Sequence, residues 1–249
     1  MTFKDHFSRL AASYASFRPR YPAALFDYLA QTCRRHELAW DCACGSGQAT
    51  LDLAERFDAV LATDASAAQL AAAPAHANVR YCVAPATQSG LESASVDIVT
   101  VAQALHWFDL APFYAEVDRV LRPAGVLAAW TYGVPHVAGE RIDRLMQEFY
   151  WDTLKTYWPA ERRLVESGYR TLPFVFAELE PPTFEMHEDW LLRELIGYVR
   201  SWSAAGRYAE LNAVDPAAAL EESLACIWGE SDERRRISWP LSLRIGVKP

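Results

Sequence analysis

The chain has 249 residues, 51% hydrophobic and 22% charged, with a formal net charge of −8 and a pI near 5.3. It is long enough for a large core, in one domain or one domain with an insertion. The acidic balance argues against nucleic acid or an anionic membrane as partner, no apolar run approaches membrane-spanning length, and a small-molecule substrate is favoured.

In the N-terminal segment, Phe3, Phe7, Leu10, Ala11 and Tyr14 follow helical spacing until Pro19 and Pro22 break it. A helix over about 22–35 follows, with Leu25, Phe26 and Leu29 apolar. Residues 38–44 are a short apolar run that predicts a buried strand. Gly45-Ser46-Gly47 turns the chain into a predicted helix over 48–57. Strand, glycine turn and helix together present backbone N–H groups to a ligand that can approach closely.

A second strand, 59–63, ends on Asp64. An acid at this place in a nucleotide-binding sheet accepts from both hydroxyls of a ribose, and the alternative is a cap on the next helix, which begins near Ser66. Residues 66–73 form that alanine-rich helix, stopped by Pro74. Strands over 79–83 and 95–103 follow. The latter runs on into Ala104-Leu105-His106-Trp107-Phe108. Strand ends at the carboxyl edge of a parallel sheet face the ligand crevice, which places Gln103 to Trp107 where cofactor meets substrate.

A helix from Asp109 to about Arg122 and a strand over 126–130 complete a βαβαβ alternation. That alternation predicts an α/β, doubly wound, mostly parallel sheet. The pattern changes after Pro135. Residues 139–158 read as a helix, 176–187 as a strand interrupted by Pro181-Pro182, and 188–200 and 216–228 as helices. Residues 237–247 read as an antiparallel edge strand, where Pro240 is tolerated. The expected organisation is an N-terminal lid segment (1–36), a cofactor-binding core (37–135), a helical insertion (136–235) and a returning strand (236–249).

Five cysteines form no metal pattern. Cys42 and Cys44 are spaced CxC on a buried strand with no second pair, which suits core packing, and no metal is expected. An odd count without a signal peptide suggests a reducing, cytoplasmic setting. Nine tryptophans and eleven tyrosines either line a pocket or fill the core.

The glycine series runs Gly45, Gly47, Thr50, so the dinucleotide fingerprint lacks its third glycine. Asp41-Cys-Ala-Cys-Gly-Ser-Gly-Gln instead resembles the first motif of the class I S-adenosylmethionine-dependent methyltransferases, departing from it at Ala43, where the family commonly has glycine. The resemblance implies a Rossmann-like seven-stranded sheet and S-adenosylmethionine as cofactor. It implies contacts to the methionine half of the cofactor from Asp41, Ala43, Gly45 and Gly47. The N-terminal F-x-x-x-A-x-x-Y-x-x-F-R-P-x-Y-P pattern, the H-W-F stretch, L-R-P-x-G-x-L at 121–127 and Ser201-Trp202-Ser203-Ala204 are similar to the type 11 group, including trans-aconitate methyltransferase-like proteins. That similarity makes Tyr14 and Arg18 cofactor or substrate contacts. Ala65 and Gln69 are expected near the adenine, and Thr87 stands where the family often has an acid.

His106 is either a general base or a brace for the loop and cofactor. Trp107 either walls the pocket, faces a sulfonium, or packs. Tyr157, Trp158 and Tyr169 are candidate acceptor walls, as is Trp202. The implied reaction is methyl transfer to a small molecule, with a carboxylate slightly favoured because Arg18 can hold one in a fork. The protein is expected to be a monomer or homodimer. An NAD-dependent oxidoreductase and a non-catalytic S-adenosylmethionine-binding protein are the alternatives.

Overall fold

The computed structural model describes residues 18–249. Helix α1 (Ala23–Thr32) starts directly after Pro22 and buries Leu25, Phe26 and Leu29 on one face, the i, i+1, i+4 positions its spacing predicts. Five strands follow the expected order: β1 (Leu38–Cys42), β2 (Ala59–Asp64), β3 (Val79–Val83), β4 (Val96–Ala102) and β5 (Leu121–Tyr132). They lie in the order β3-β2-β1-β4-β5, all parallel. The order reverses between β1 and β4, and the crevice at such a switch point is where ligands bind in doubly wound sheets.

Side chains alternate across the sheet. Ala39, Ile98, Val126, Ala128 and Trp130 face one layer. Trp40, Cys42, Val99, Val101, Leu127 and Ala129 face the other. Helices α2 (Thr50–Ala54) and α3 (Ala67–Ala71) connect the first strands. Helix α4 (Leu110–Val120) buries Phe113, Val117 and Val120 against the second layer. Among the described residues, no helix is long and apolar enough to cross a membrane.

β5 begins five residues earlier than its apolar run suggests. Arg122 pairs with Asp97 (2.6 Å) and Glu37 (2.8 Å), and Asp97 also accepts from the backbone N–H of Glu37 and Leu38. The Leu-Arg-Pro-Ala-Gly stretch therefore clamps the starts of β1, β4 and β5, at the end of the sheet opposite the crevice.

The returning segment departs furthest from expectation. The helix expected over 139–158 is not one helix: α5 (Glu140–Glu148) passes into a π-helical turn (Phe149–Thr153). α6 (Arg162–Glu166) follows. The strand expected over 176–187 forms instead as β7 (Glu185–Trp190), with only a single bridge upstream, Glu178 to Gly246. α7 (Leu192–Arg200), α8 (Ser203–Asn212) and α9 (Pro216–Trp228) then lead to β8 (Arg235–Val247). α9 has Pro216 at its start and the Asp215 side chain accepting from the Ala217 N–H.

β8 is longer than one edge strand. Its second half runs antiparallel to β5, and its first half pairs with β7 and the short β6 (His136–Val137), giving eight strands where seven are expected. Pro240 sits where β8 passes from one partner to the other, opposite Glu185 of β7 and next to Leu241, which pairs with Tyr132 of β5.

Candidate functional site

The carboxyl ends of β1, β2 and β4 meet at the switch point. The turn after β1 runs through three residues with left-handed backbone: Ala43 (φ +55°), Gly45 (+57°) and Gly47 (+81°). Glycine is preferred at such positions because a Cβ crowds the following carbonyl. At Gly47 a Cβ would also meet the Tyr81 hydroxyl at 2.9 Å, so a side chain there would have to displace the tip of that tyrosine. At Gly45 a Cβ would meet, among the described residues, only Gln69 Oε1, at 3.8 Å, so they leave room for a ligand against the backbone. Ala43 accepts the same φ without glycine's freedom.

Asp64, at the end of β2, is tied to this turn. Its Oδ2 accepts from the Gly45 N–H at 2.9 Å and its Oδ1 from the Ser66 N–H at 2.8 Å. Burial raises its pKa, and these two hydrogen bonds oppose the rise. Each oxygen retains a lone pair for a further donor. The helix-cap role falls to Ser66, whose hydroxyl accepts from the Gln69 N–H.

Asp41 stands behind the turn. It is completely buried, and its carboxylate accepts from the hydroxyls of Thr50 (2.6 Å) and Thr100 (3.0 Å). Burial pushes its pKa up to about 6. Its side chain joins β1, α2 and β4 under the turn; it does not reach the crevice surface. Gln69 is buried beside Gly45, whereas Ala65 and Thr87 are exposed on the loops after β2 and β3. Gln103 has φ +55°. Its Nε2 donates to the Tyr132 carbonyl at 3.2 Å and its Oε1 accepts from the Thr131 hydroxyl, so it ties the end of β4 to the end of β5.

His106 lies in a single helical turn, Leu105–Trp107. Its Nδ1 is 2.8 Å from the Tyr169 hydroxyl. Burial, with a smaller contribution from the nearby Arg162 guanidinium, lowers its pKa to about 3. The ring is therefore neutral at ordinary pH and a weak proton acceptor. Trp107 packs against it at 4.6 Å and remains 39% exposed. Tyr169 is fully buried, and its backbone carbonyl accepts from Arg244 at 2.8 Å.

On the side of the returning helices, Arg18 Nη1 donates to the Tyr132 hydroxyl at 2.8 Å, and its guanidinium lies 5.9 Å from the centre of the Tyr198 ring. Tyr198 meets Trp202 edge-on at 5.4 Å and takes a hydrogen bond from Trp239 at 3.1 Å. Trp202 is 4% exposed and also contacts Tyr150 and Trp158. Tyr157 belongs to a separate contact, with Tyr208 at 4.8 Å and Asn212 at 3.0 Å. Tyr14 lies outside the described residues. Sequence reasoning did not single out Tyr132, Tyr198 or Arg162. Tyr132 follows Gln103's partner Thr131 at the end of a strand, which is the one signal that marks it.

The residues fit S-adenosylmethionine. A backbone cradle at Gly45 and a carboxylate with free lone pairs at Asp64 are what its methionine half and its ribose require, and no group of three or more metal-ligating side chains occurs among the described residues. The methyltransferase domain family Methyltransf_11 matches residues 40–129, which span β1 through β5. A candidate methyltransferase of Dictyostelium discoideum is 33% identical over 233 residues, covering 92% of this chain and 89% of that protein. CRG1 of Saccharomyces cerevisiae, a candidate S-adenosylmethionine-dependent methyltransferase, is 33% identical over half of the chain. A solved structure from Anaeromyxobacter dehalogenans, described as a candidate type II methyltransferase, is similar with a TM-score of 0.88 and 46% identity. It covers 93% of this chain and 98% of that one.

Proposed function

The chain belongs to the class I S-adenosylmethionine-dependent methyltransferases of the type 11 group, and from that premise we propose that it methylates a small-molecule acceptor, in the first instance a carboxylate. The cofactor is S-adenosylmethionine, and membership of this family leaves no support for the NAD-dependent alternative.

The observation that carries the acceptor class is the state of His106. A hydroxyl, phenol or amine acceptor gains from a base whose pKa lies near the working pH. His106, the candidate base named from the sequence, is held near 3 and is engaged with Tyr169 at 2.8 Å. A carboxylate needs no base. When bound, S-adenosylmethionine supplies a sulfonium methyl, whose transfer to a carboxylate oxygen forms one C–O bond, breaks one C–S bond and neutralises both charges.

The chain's own part is then positioning. In our reading Asp64 accepts from the ribose hydroxyls, and Gly45 and Gly47 let the backbone approach the methionine half. Asp41 and Gln103 hold those elements from behind. His106 braces the crevice through its pair with Tyr169, and Arg18 holds the acceptor. Such alignment alone supplies roughly 7–11 kcal/mol of a displacement barrier.

The test is an acceptor screen with S-adenosylmethionine. Mono- and dicarboxylic acids are set against matched alcohols, phenols and amines, and methyl esters are read by mass spectrometry together with S-adenosylhomocysteine release. Esters as the products support the reading; turnover confined to alcohols or amines sinks it.

A further inference from the structure

Arg162 is a part-buried arginine whose surroundings differ from those of four others. Arg56, Arg122, Arg235 and Arg244 each lie against a carboxylate, at 2.6–2.8 Å. Arg162 has no carboxylate within ion-pair distance among the described residues. Its Nε donates to the Tyr150 hydroxyl at 2.6 Å, and its guanidinium lies 4.8 Å from the centre of the Trp158 ring and 5.5 Å from that of Tyr150. Glu166 reaches it only through Tyr150, whose hydroxyl donates to Glu166 at 2.8 Å. Two aromatic rings fix the guanidinium plane, while only one of its five N–H donors is used by a described partner.

Its position is as informative as its partners. α6, which carries Arg162, packs against both the Leu105–Trp107 turn and β5. Its positive charge contributes to holding His106 neutral, and it favours the phenolate of Tyr169. The charges of Arg162 and Arg18 both act on the Tyr198 hydroxyl. Arg18 and Arg162, from distant parts of the sequence, therefore both bring positive charge to this side of the crevice, in a chain whose net charge is −8. A guanidinium held by rings and without a counter-ion among the described residues is arranged to receive one, and its planar fork matches a carboxylate.

We propose that Arg162 is a specificity-determining residue of this site, receiving an anionic oxygen group of the acceptor on the guanidinium N–H donors that the Tyr150 hydroxyl leaves unused. The proposal rests on the methyltransferase reading of the crevice, and it makes acceptor choice depend on a residue of the returning segment.

The probe is succinate, with its neutral diamide as the shape-matched control. Each is titrated into protein saturated with S-adenosylhomocysteine, and tryptophan fluorescence is followed because Trp158 lies under the guanidinium. Succinate is expected to give a saturable change in the wild type, binding at least tenfold weaker in Arg162→Met and intermediate in Arg162→Lys. The diamide should give none, and S-adenosylhomocysteine affinity should be unchanged in both variants. If Arg162→Met loses cofactor affinity, Arg162→Lys decides alone.

Equal succinate affinity in wild type and variant overturns the proposal. So does diamide binding as tight as succinate, or no saturable signal from succinate or a panel of monocarboxylates. Turnover plays no part in the readout. A protein that binds succinate through Arg162 yet methylates only alcohols would sink the carboxylate reading and leave this one standing; ester formation unaffected by Arg162→Met would do the reverse.

Discussion

His106 and Tyr169 are 63 residues apart in sequence, and their side chains meet at 2.8 Å between Nδ1 and the phenolic oxygen. Neither group ionises near neutrality: burial lowers the imidazole pKa to about 3 and raises that of the phenol. A neutral pair of this kind fixes orientation and moves no charge. It joins the β4 crevice edge to the returning segment, because Arg244 of β8 holds the Tyr169 and Leu172 carbonyls while pairing with Glu178.

Tyr169→Phe keeps the buried ring and removes the hydroxyl. The loss of one buried hydrogen bond is expected to cost about 1 kcal/mol of stability. Turnover should fall severalfold through a less defined His106 and Trp107 wall, while cofactor affinity stays within about twofold. Steady-state kinetics alongside calorimetry separates the two readouts. A matching fall in cofactor affinity would place the pair at the cofactor instead.

Asp64 has two duties, and different substitutions divide them. Asp64→Ala removes the acceptor for the Gly45 and Ser66 N–H groups as well as the expected ribose contacts. Hydrogen bonds to a charged group contribute about 1.5–3 kcal/mol each, so S-adenosylmethionine affinity should drop by a factor on the order of 100 or more. Asp64→Asn keeps one acceptor oxygen and should lose less. Titration calorimetry of both variants checks the order; unchanged affinity in Asp64→Ala would remove Asp64 from the ribose.

Much of the cofactor side was legible in the sequence because it is local. A strand, a glycine turn and an acid at the next strand end are fixed by backbone chemistry within some twenty-five residues. The returning segment was not, because its order depends on pairing with β8. β7 reads Glu-Met-His-Glu-Asp-Trp, and only Met186 is buried. No apolar run announces it, while the more apolar stretch upstream carries Pro181-Pro182 and forms a single bridge. α6 is five residues long, too short for helical periodicity to register, and so Arg162 went unnoticed. Tyr132 and Tyr198 gain their meaning from Arg18, which lies more than a hundred residues away from each in sequence.

Ala43 explains a departure from the family pattern and offers a test of strain. With φ +55° it occupies a conformation that costs an L residue roughly 1–2 kcal/mol. Ala43→Gly relieves that cost but increases the freedom of the unfolded chain by about 0.4–1 kcal/mol. The net expectation is a gain of about 0.5–1 kcal/mol, or roughly 1–4 °C in Tm for a chain of this size. Differential scanning calorimetry reads it; a lower Tm would mean that the methyl's packing outweighs the strain.

Asp41 and His106 pull stability in opposite directions as pH changes. His106 is depressed to about 3 from 6.5, so between those values the unfolded chain binds more protons and stability rises with pH. Asp41 is raised to about 6 from 3.8, so between those values the folded chain binds more protons and stability falls with pH. Each contributes a slope of at most about 1.4 kcal/mol per pH unit, and over pH 4–6 the two largely cancel. Asp41→Asn keeps a carbonyl for one threonine hydroxyl and removes the falling contribution. Its stability relative to the wild type should therefore climb with pH across 4–6, and its advantage should be greatest above pH 6. Urea unfolding at half-unit pH steps measures both profiles. Parallel curves would show that Asp41 is ionised at the same pH in the folded and unfolded chains.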